Sequence, residues 1–178
     1  AGNVIGGGDW AKDRIIPDCI RSWSLDKTPE IRSPNATRPW QHVLEPLSGY
    51  ICLASKLNED NYINGEAFNF GPKAENNFSV KELVENLIKY WPQKNWKDVS
   101  TSNNNSPPEA GLLKLNCDKA LHALKWQPTL NFEETCMFTS EWYKKFYLEG
   151  PENTLTLTLA QIDDYLTKSK ERKTFSID

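Results

Sequence analysis

An α/β domain, mostly helical with a few short strands, is what this 178-residue sequence predicts. Three observations carry the prediction. Short β-branched or aromatic stretches alternate with segments whose apolar residues recur at spacings of three and four. Two capping signatures, Ser79 with Glu82 and Asn131 with Glu134, mark helix starts. Pro92 and the Gly150-Pro151 pair stand where those helices should stop. The length suits one domain spanning 1–178, with a core of its own.

In chain order, Val4 and Ile5 end a strand that runs into the Gly6-Gly7-Gly8 loop. Ile15, Ile16, Cys19, Ile20 and Trp23 then define one face of a helix, with Pro17 tolerated in its first turn. "PEIRS" and "WQHV" are short extended stretches. "EPLSGYICLASKLNE" predicts a helix that buries Leu47, Tyr50, Ile51, Leu53, Ala54 and Leu57, with Cys52 just off the centre of that face. "EAFNFG" and "WKDVS" are candidate strands on either side of the helix that follows Ser79, and "TSNNNSPPE" is a loop by composition. Asn116 or Asp118 opens a short helix through Leu124. Asn131 caps the longest helix, and an amphipathic helix near Leu159 to Lys170 closes the chain.

Lysine and arginine number 21 against 24 acids, so no broad basic surface exists for nucleic acid or an anionic membrane. Any anion must be held by a few placed cations. No apolar run approaches the roughly 20 residues a membrane span needs, and no charged-then-apolar leader is present. Four well-separated cysteines without a C-x-x-C pair read as buried, reduced thiols of a cytoplasmic protein. Two histidines, far apart, do not assemble a metal set.

The glycine run lacks the last glycine of a G-x-G-x-x-G dinucleotide loop, since Ala11 stands at that place, and no phosphate-loop lysine motif occurs. Tyr90 and Lys94 have the spacing of a Tyr-x-x-x-Lys pair, but Pro92 between them breaks the shared helical face that such a pair needs. Arg38 is more informative. Preceding Pro39, it sits on backbone biased to extended geometry, and its rigid fork of donors suits a diphosphate. Arg14, in the first turn of a predicted helix, adds a second cation where helix N–H groups also favour anions. Asn3, at a strand end beside the glycine turn, offers an amide to a ligand oxygen.

The segments "AGNVIGGGDW", "DRIIPD", "NATRPWQHVLEPLSGY", "AFNFGP", "SVKELV", "PPEAGLLKLNCDKA", "LKWQPTL" and "EWYKKF" occur in an order that resembles the C-terminal, substrate-binding half of extended short-chain dehydrogenase/reductase enzymes. The resemblance implies the substrate-binding part of that fold, with the N-terminal Rossmann half absent from this chain. It implies an NAD-dependent lyase that oxidises a nucleotide sugar at C4, eliminates water across C5 and C6, and returns the hydride to C6. The product would be a deoxysugar precursor of the kind used in lipopolysaccharide O-antigens. NAD and the catalytic residues would belong to the other half, leaving this part inactive alone, and the whole enzyme would be a homodimer or larger. A cytidine-diphosphate sugar is the implied substrate; an epimerase or decarboxylase on another nucleotide sugar, and a stand-alone binding module, remain the alternatives.

By position, the resemblance marks Asn3 near the sugar diphosphate, Arg14 as the base opening the substrate-domain helix, and Arg38 as the residue gripping the phosphates. Ile15 and Ile31 match residues that wall the nucleotide pocket. Many relatives carry a second phosphate arginine before "LNCDKA". This chain has Pro107, Pro108, Glu109 and Ala110 there, and Glu109 could instead accept a hydrogen bond from cytosine N4 or a sugar hydroxyl.

Overall fold

The computed structural model describes residues 1–59, 61–100 and 113–175; the whole "TSNNNSPPE" loop, Glu109 included, lies outside the described residues. Among the described residues, six α-helices and six two-residue strands follow one another as β1 (Val4–Ile5), α1 (Ile15–Ser24), β2 (Glu30–Ile31), β3 (Thr37–Arg38), β4 (Gln41–His42), α2 (Leu44–Glu59), β5 (Phe78–Ser79), α3 (Val80–Ile88), β6 (Lys97–Asp98), α4 (Asp118–Leu124), α5 (Phe132–Glu149) and α6 (Thr154–Arg172). The strands make three pairs: β1 with β4 and β2 with β6 are parallel, and β3 with β5 is antiparallel.

Helix starts follow their capping chemistry. Ser79 Oγ accepts the Glu82 N–H while Glu82 accepts the Ser79 N–H, and Asn131 and Glu134 repeat the reciprocal pair at α5. Asn116 Oδ1 accepts the Asp118 N–H just ahead of α4. The principal core lies between α1, α3 and α5, where Ile16, Cys19, Ile20 and Trp23 meet Leu83, Val84, Leu87, Phe132, Cys136 and Tyr143. Burial pushes the Cys19 and Cys136 thiols up to about 12, which keeps them protonated and inert. Lys94, from the accidental Tyr-x-x-x-Lys spacing, is ion-paired with Asp26.

α2 departs from expectation. Its buried side is Glu45, Pro46, Ser48, Gly49 and Cys52, while Leu47, Tyr50 and Ile51 stay 46%, 48% and 53% exposed. The reason is specific packing rather than hydrophobicity. A Cβ on Gly49 would come within 2.3 Å of the Phe70 ring, so the helix approaches as closely as only glycine allows. Ser48 Oγ accepts from Trp126 Nε1 at 2.9 Å and bonds Tyr165 at 2.8 Å. Glu45 accepts from the N–H groups of Thr129 and Leu130 and from the Tyr165 hydroxyl. Of the apolar face that the spacing assigned to the core, Leu47, Tyr50, Ile51 and Leu57 point outward, and Leu53 packs against the Phe70 cluster.

Residues 66–71 form no strand. Without a ladder partner the segment stays irregular, and the Phe70 carbonyl accepts from the Gln41 side chain. α6 starts five residues earlier than expected, at Thr154, because alternating Thr and Leu are drawn into the hairpin with α5 by the Trp142 to Thr158 hydrogen bond at 2.9 Å.

Two buried ionisable groups flank the β4–α2 junction. Desolvation raises Glu45 to about 7 and lowers His42 to about 4. A carboxyl whose folded value exceeds its unfolded one contributes most at acid pH and loses that contribution as pH rises through 7. An imidazole with a depressed value behaves oppositely, losing its contribution as pH falls from 6.5 to 4. The two oppose each other between pH 4.5 and 6.5. Urea midpoints between pH 5 and 7.5 should therefore slope in opposite directions in the two single variants: Glu45→Gln loses stability toward acid, and His42→Gln loses it toward neutral pH.

Candidate functional site

One cavity of about 470 Å³ opens where the N-terminus of α1 faces β1 and β3, and Asn3, Arg14, Ile15 and Arg38 all line it, with Asp9, Asp13, Trp40 and Val80. Residues separated by 35 positions in the chain thus share one concavity.

Asn3 has left-handed backbone, φ 42°, which asparagine tolerates better than most residues. That turn lets the Asn3 carbonyl accept the Gln41 N–H at 3.3 Å while the residue still borders the cavity. Gln41 is buried and donates to the Gly2 and Phe70 carbonyls, fixing the strand that carries Asn3. Arg14 is the N-cap of α1, one residue ahead of the first turn in which the sequence placed it, and no side chain caps the helix there. Ile15, Ile16 and Pro17, the first three helical residues, therefore border the cavity with their helix end toward it.

Arg38 lies on β3, opposite Phe78 of β5, as its place before Pro39 predicted. Trp40 Nε1 donates to the Phe78 carbonyl at 3.0 Å, and His42, buried behind it, packs edge-on against Phe138. Two guanidinium groups from separate elements, an uncapped helix end and an asparagine suit a doubly charged, oxygen-rich ligand. Ile31 is not brought into this cavity. It is 4% exposed, sits in the main core, and borders an adjoining cleft of about 170 Å³ that shares Asp13, Ile15 and Val80 with the larger one. Glu109 lies outside the described residues.

Asp9 was not singled out from sequence. Its Oδ2 pairs with Arg14 at 3.4 Å, its Oδ1 accepts the Ala11 N–H, and its carbonyl accepts the Tyr143 hydroxyl at 2.6 Å. The loop around it is clamped further. Trp10 packs on Tyr143 and Phe146 with centroids 5.4 and 4.8 Å away, and Arg21 donates to the Trp10 carbonyl. An aspartate five residues ahead of a helix-opening arginine was the only signal available.

The fold is that of the extended short-chain dehydrogenase/reductases. Among solved structures, the UDP-glucuronic acid 4-epimerase of Bacillus cereus superposes with a TM-score of 0.67 at 21% identity, over 82% of this chain and 44% of the epimerase. The dTDP-glucose 4,6-dehydratase of Bacillus anthracis does so with a TM-score of 0.59 at 18% identity, over 81% and 43%. In sequence the chain is related to a particular member: it is 43% identical over 169 residues to the CDP-glucose 4,6-dehydratase of Salmonella typhimurium, which covers 94% of this chain. The chain spans 45% of that relative's length. No family model matches it.

Proposed function

We propose that this chain is the nucleotide-sugar-binding part of an NAD-dependent 4,6-dehydratase that converts CDP-glucose to CDP-4-keto-6-deoxyglucose in deoxysugar synthesis. The observation that carries the proposal is the convergence of Asn3, Arg14 and Arg38 on one cavity at the end of α1. Relationship to a CDP-glucose 4,6-dehydratase supports the choice of sugar nucleotide and of reaction.

In this reading Arg38 and Arg14 hold the diphosphate, Asn3 donates to an oxygen near it, and Ile15, with Ile31 across the adjoining cleft, bounds the base. Glu109 is assigned to the same ligand as an acceptor. The described residues do not fit NAD. A Cβ on Gly7 would fall 2.0 Å from the Trp142 ring, so the glycine run makes room for α5 rather than for a pyrophosphate. NAD and the redox and elimination steps are accordingly assigned to the part of the relative's length that this chain does not span. The outward face of α2, with Leu47, Tyr50 and Ile51, is the surface that part would cover. We assign the whole enzyme to the cytoplasm as a homodimer or larger.

The test is an assay of the complete enzyme with NAD and, in parallel, CDP-glucose, UDP-glucose and dTDP-glucose. A 4-keto-6-deoxy product from CDP-glucose, with little from the other two, is expected. Epimerised or decarboxylated sugar in place of that product overturns the reaction assigned here.

A further inference from the structure

We propose that Asp9 is a built-in competitor for the diphosphate: it holds Arg14 while the cavity is without ligand and yields it when phosphate oxygens arrive. The inference rests on the cavity being a nucleoside-diphosphate site.

The geometry is that of a releasable contact. Arg14 reaches Asp9 through one nitrogen only, Nη1, at 3.4 Å, the long end for a charged hydrogen bond. The second carboxylate oxygen accepts the Ala11 N–H, which fixes the orientation of the carboxylate, and Arg14 meets the first oxygen alone. The Arg14 side chain is 62% exposed, which leaves the pair solvated and weak, and both partners border the same cavity. A diphosphate offers oxygens to both prongs of the guanidinium at once, and it also meets the uncapped start of α1. Asp9 itself does not move freely. Its carbonyl is held by Tyr143 from α5, and the neighbouring Trp10 is held by the aromatic side chains of that helix. The carboxylate is therefore a fixed partner that Arg14 must leave before both prongs of its guanidinium can face phosphate oxygens.

Calorimetric titration of the chain with CDP tests this. Asp9→Asn keeps the main-chain carbonyl bonded to Tyr143 and an Oδ1 acceptor for Ala11, and replaces the charged Oδ2 acceptor that faces Arg14 with an uncharged NH2 donor. It is expected to tighten CDP binding about 5-fold. Asp9→Glu should return the affinity to within about 2-fold of the unaltered chain. In an Arg14→Gln background, Asp9→Asn should have less than about 2-fold effect. Equal tightening with and without Arg14 overturns the competitor role, and so does an Asp9→Asn variant that melts normally yet binds CDP no better. If CDP fails to bind the unaltered chain, or binds it equally well after Arg38→Ala, the reading of the cavity falls and the competitor role with it. Arg38-dependent binding that ignores Asp9 removes the competitor role alone.

Discussion

Arg38→Ala is expected to weaken CDP-glucose binding to the complete enzyme by about 30- to 100-fold while leaving NAD in place. Arg38 stands on β3, held opposite Phe78 and followed by Pro39, and the Trp40 indole donates to the Phe78 carbonyl on the paired strand. The guanidinium is therefore presented from a fixed backbone. Loss of charge-assisted hydrogen bonds to a phosphate costs about 2–2.7 kcal/mol, which gives the quoted range. Arg38→Lys should recover only part of the affinity, because an ammonium supplies charge without the two-pronged geometry. Titration calorimetry with CDP-glucose checks both variants, and unchanged affinity in Arg38→Ala counts decisively against the role assigned to Arg38.

The second large effect is on stability. Gly7→Ala should destabilise the chain by about 3 kcal/mol, since overpacking of a filled interior typically costs 1–3 kcal/mol and this site has no slack. The new methyl would lie 2.0 Å from Trp142 Cγ. Trp142 cannot retreat easily. Its indole N–H is bonded to Thr158 on α6, and its ring lies nearly parallel to Phe146, with centroids 5.8 Å apart. The loop must therefore lift off α5, carrying Asp9 and Trp10 with it. Chemical unfolding with tryptophan fluorescence reads the loss; a midpoint equal to that of the unaltered chain would show that the loop is not clamped as described. At neighbouring Gly8, φ 79°, a methyl would make ordinary van der Waals contact with the Trp142 ring at 3.6 Å but sit on an unfavourable backbone, so Gly8→Ala should cost less, about 1 kcal/mol.

What was legible in the sequence was what local chemistry decides. The capping pairs Ser79–Glu82 and Asn131–Glu134 start their helices as expected, and Arg38 before Pro39 is extended. The sequence also pointed to Arg14 and Arg38 as placed cations, and both border the same cavity. What failed depended on partners distant in sequence. α2 turns its polar side inward because Thr129, Leu130 and Tyr165, more than 80 residues away, satisfy Glu45. The "EAFNFG" segment lacks a neighbouring strand, whereas the two residues Lys97 and Asp98 found one in β2. Asp9 was hidden for a related reason. Its part in the site is set by Tyr143 and by the packing of Trp10 on Phe146, and nothing in "GGGDW" by itself distinguishes a clamped carboxylate from a solvated one.

The central claim is that three residues from separate elements wall one diphosphate site, and a crystal structure of the chain soaked with CDP tests it most directly. Phosphate oxygens are expected within about 3 Å of guanidinium nitrogens of both Arg14 and Arg38, with Arg14 drawn off Asp9. CDP ordered elsewhere on the surface, with Arg38 untouched and Arg14 still paired to Asp9, would contradict it.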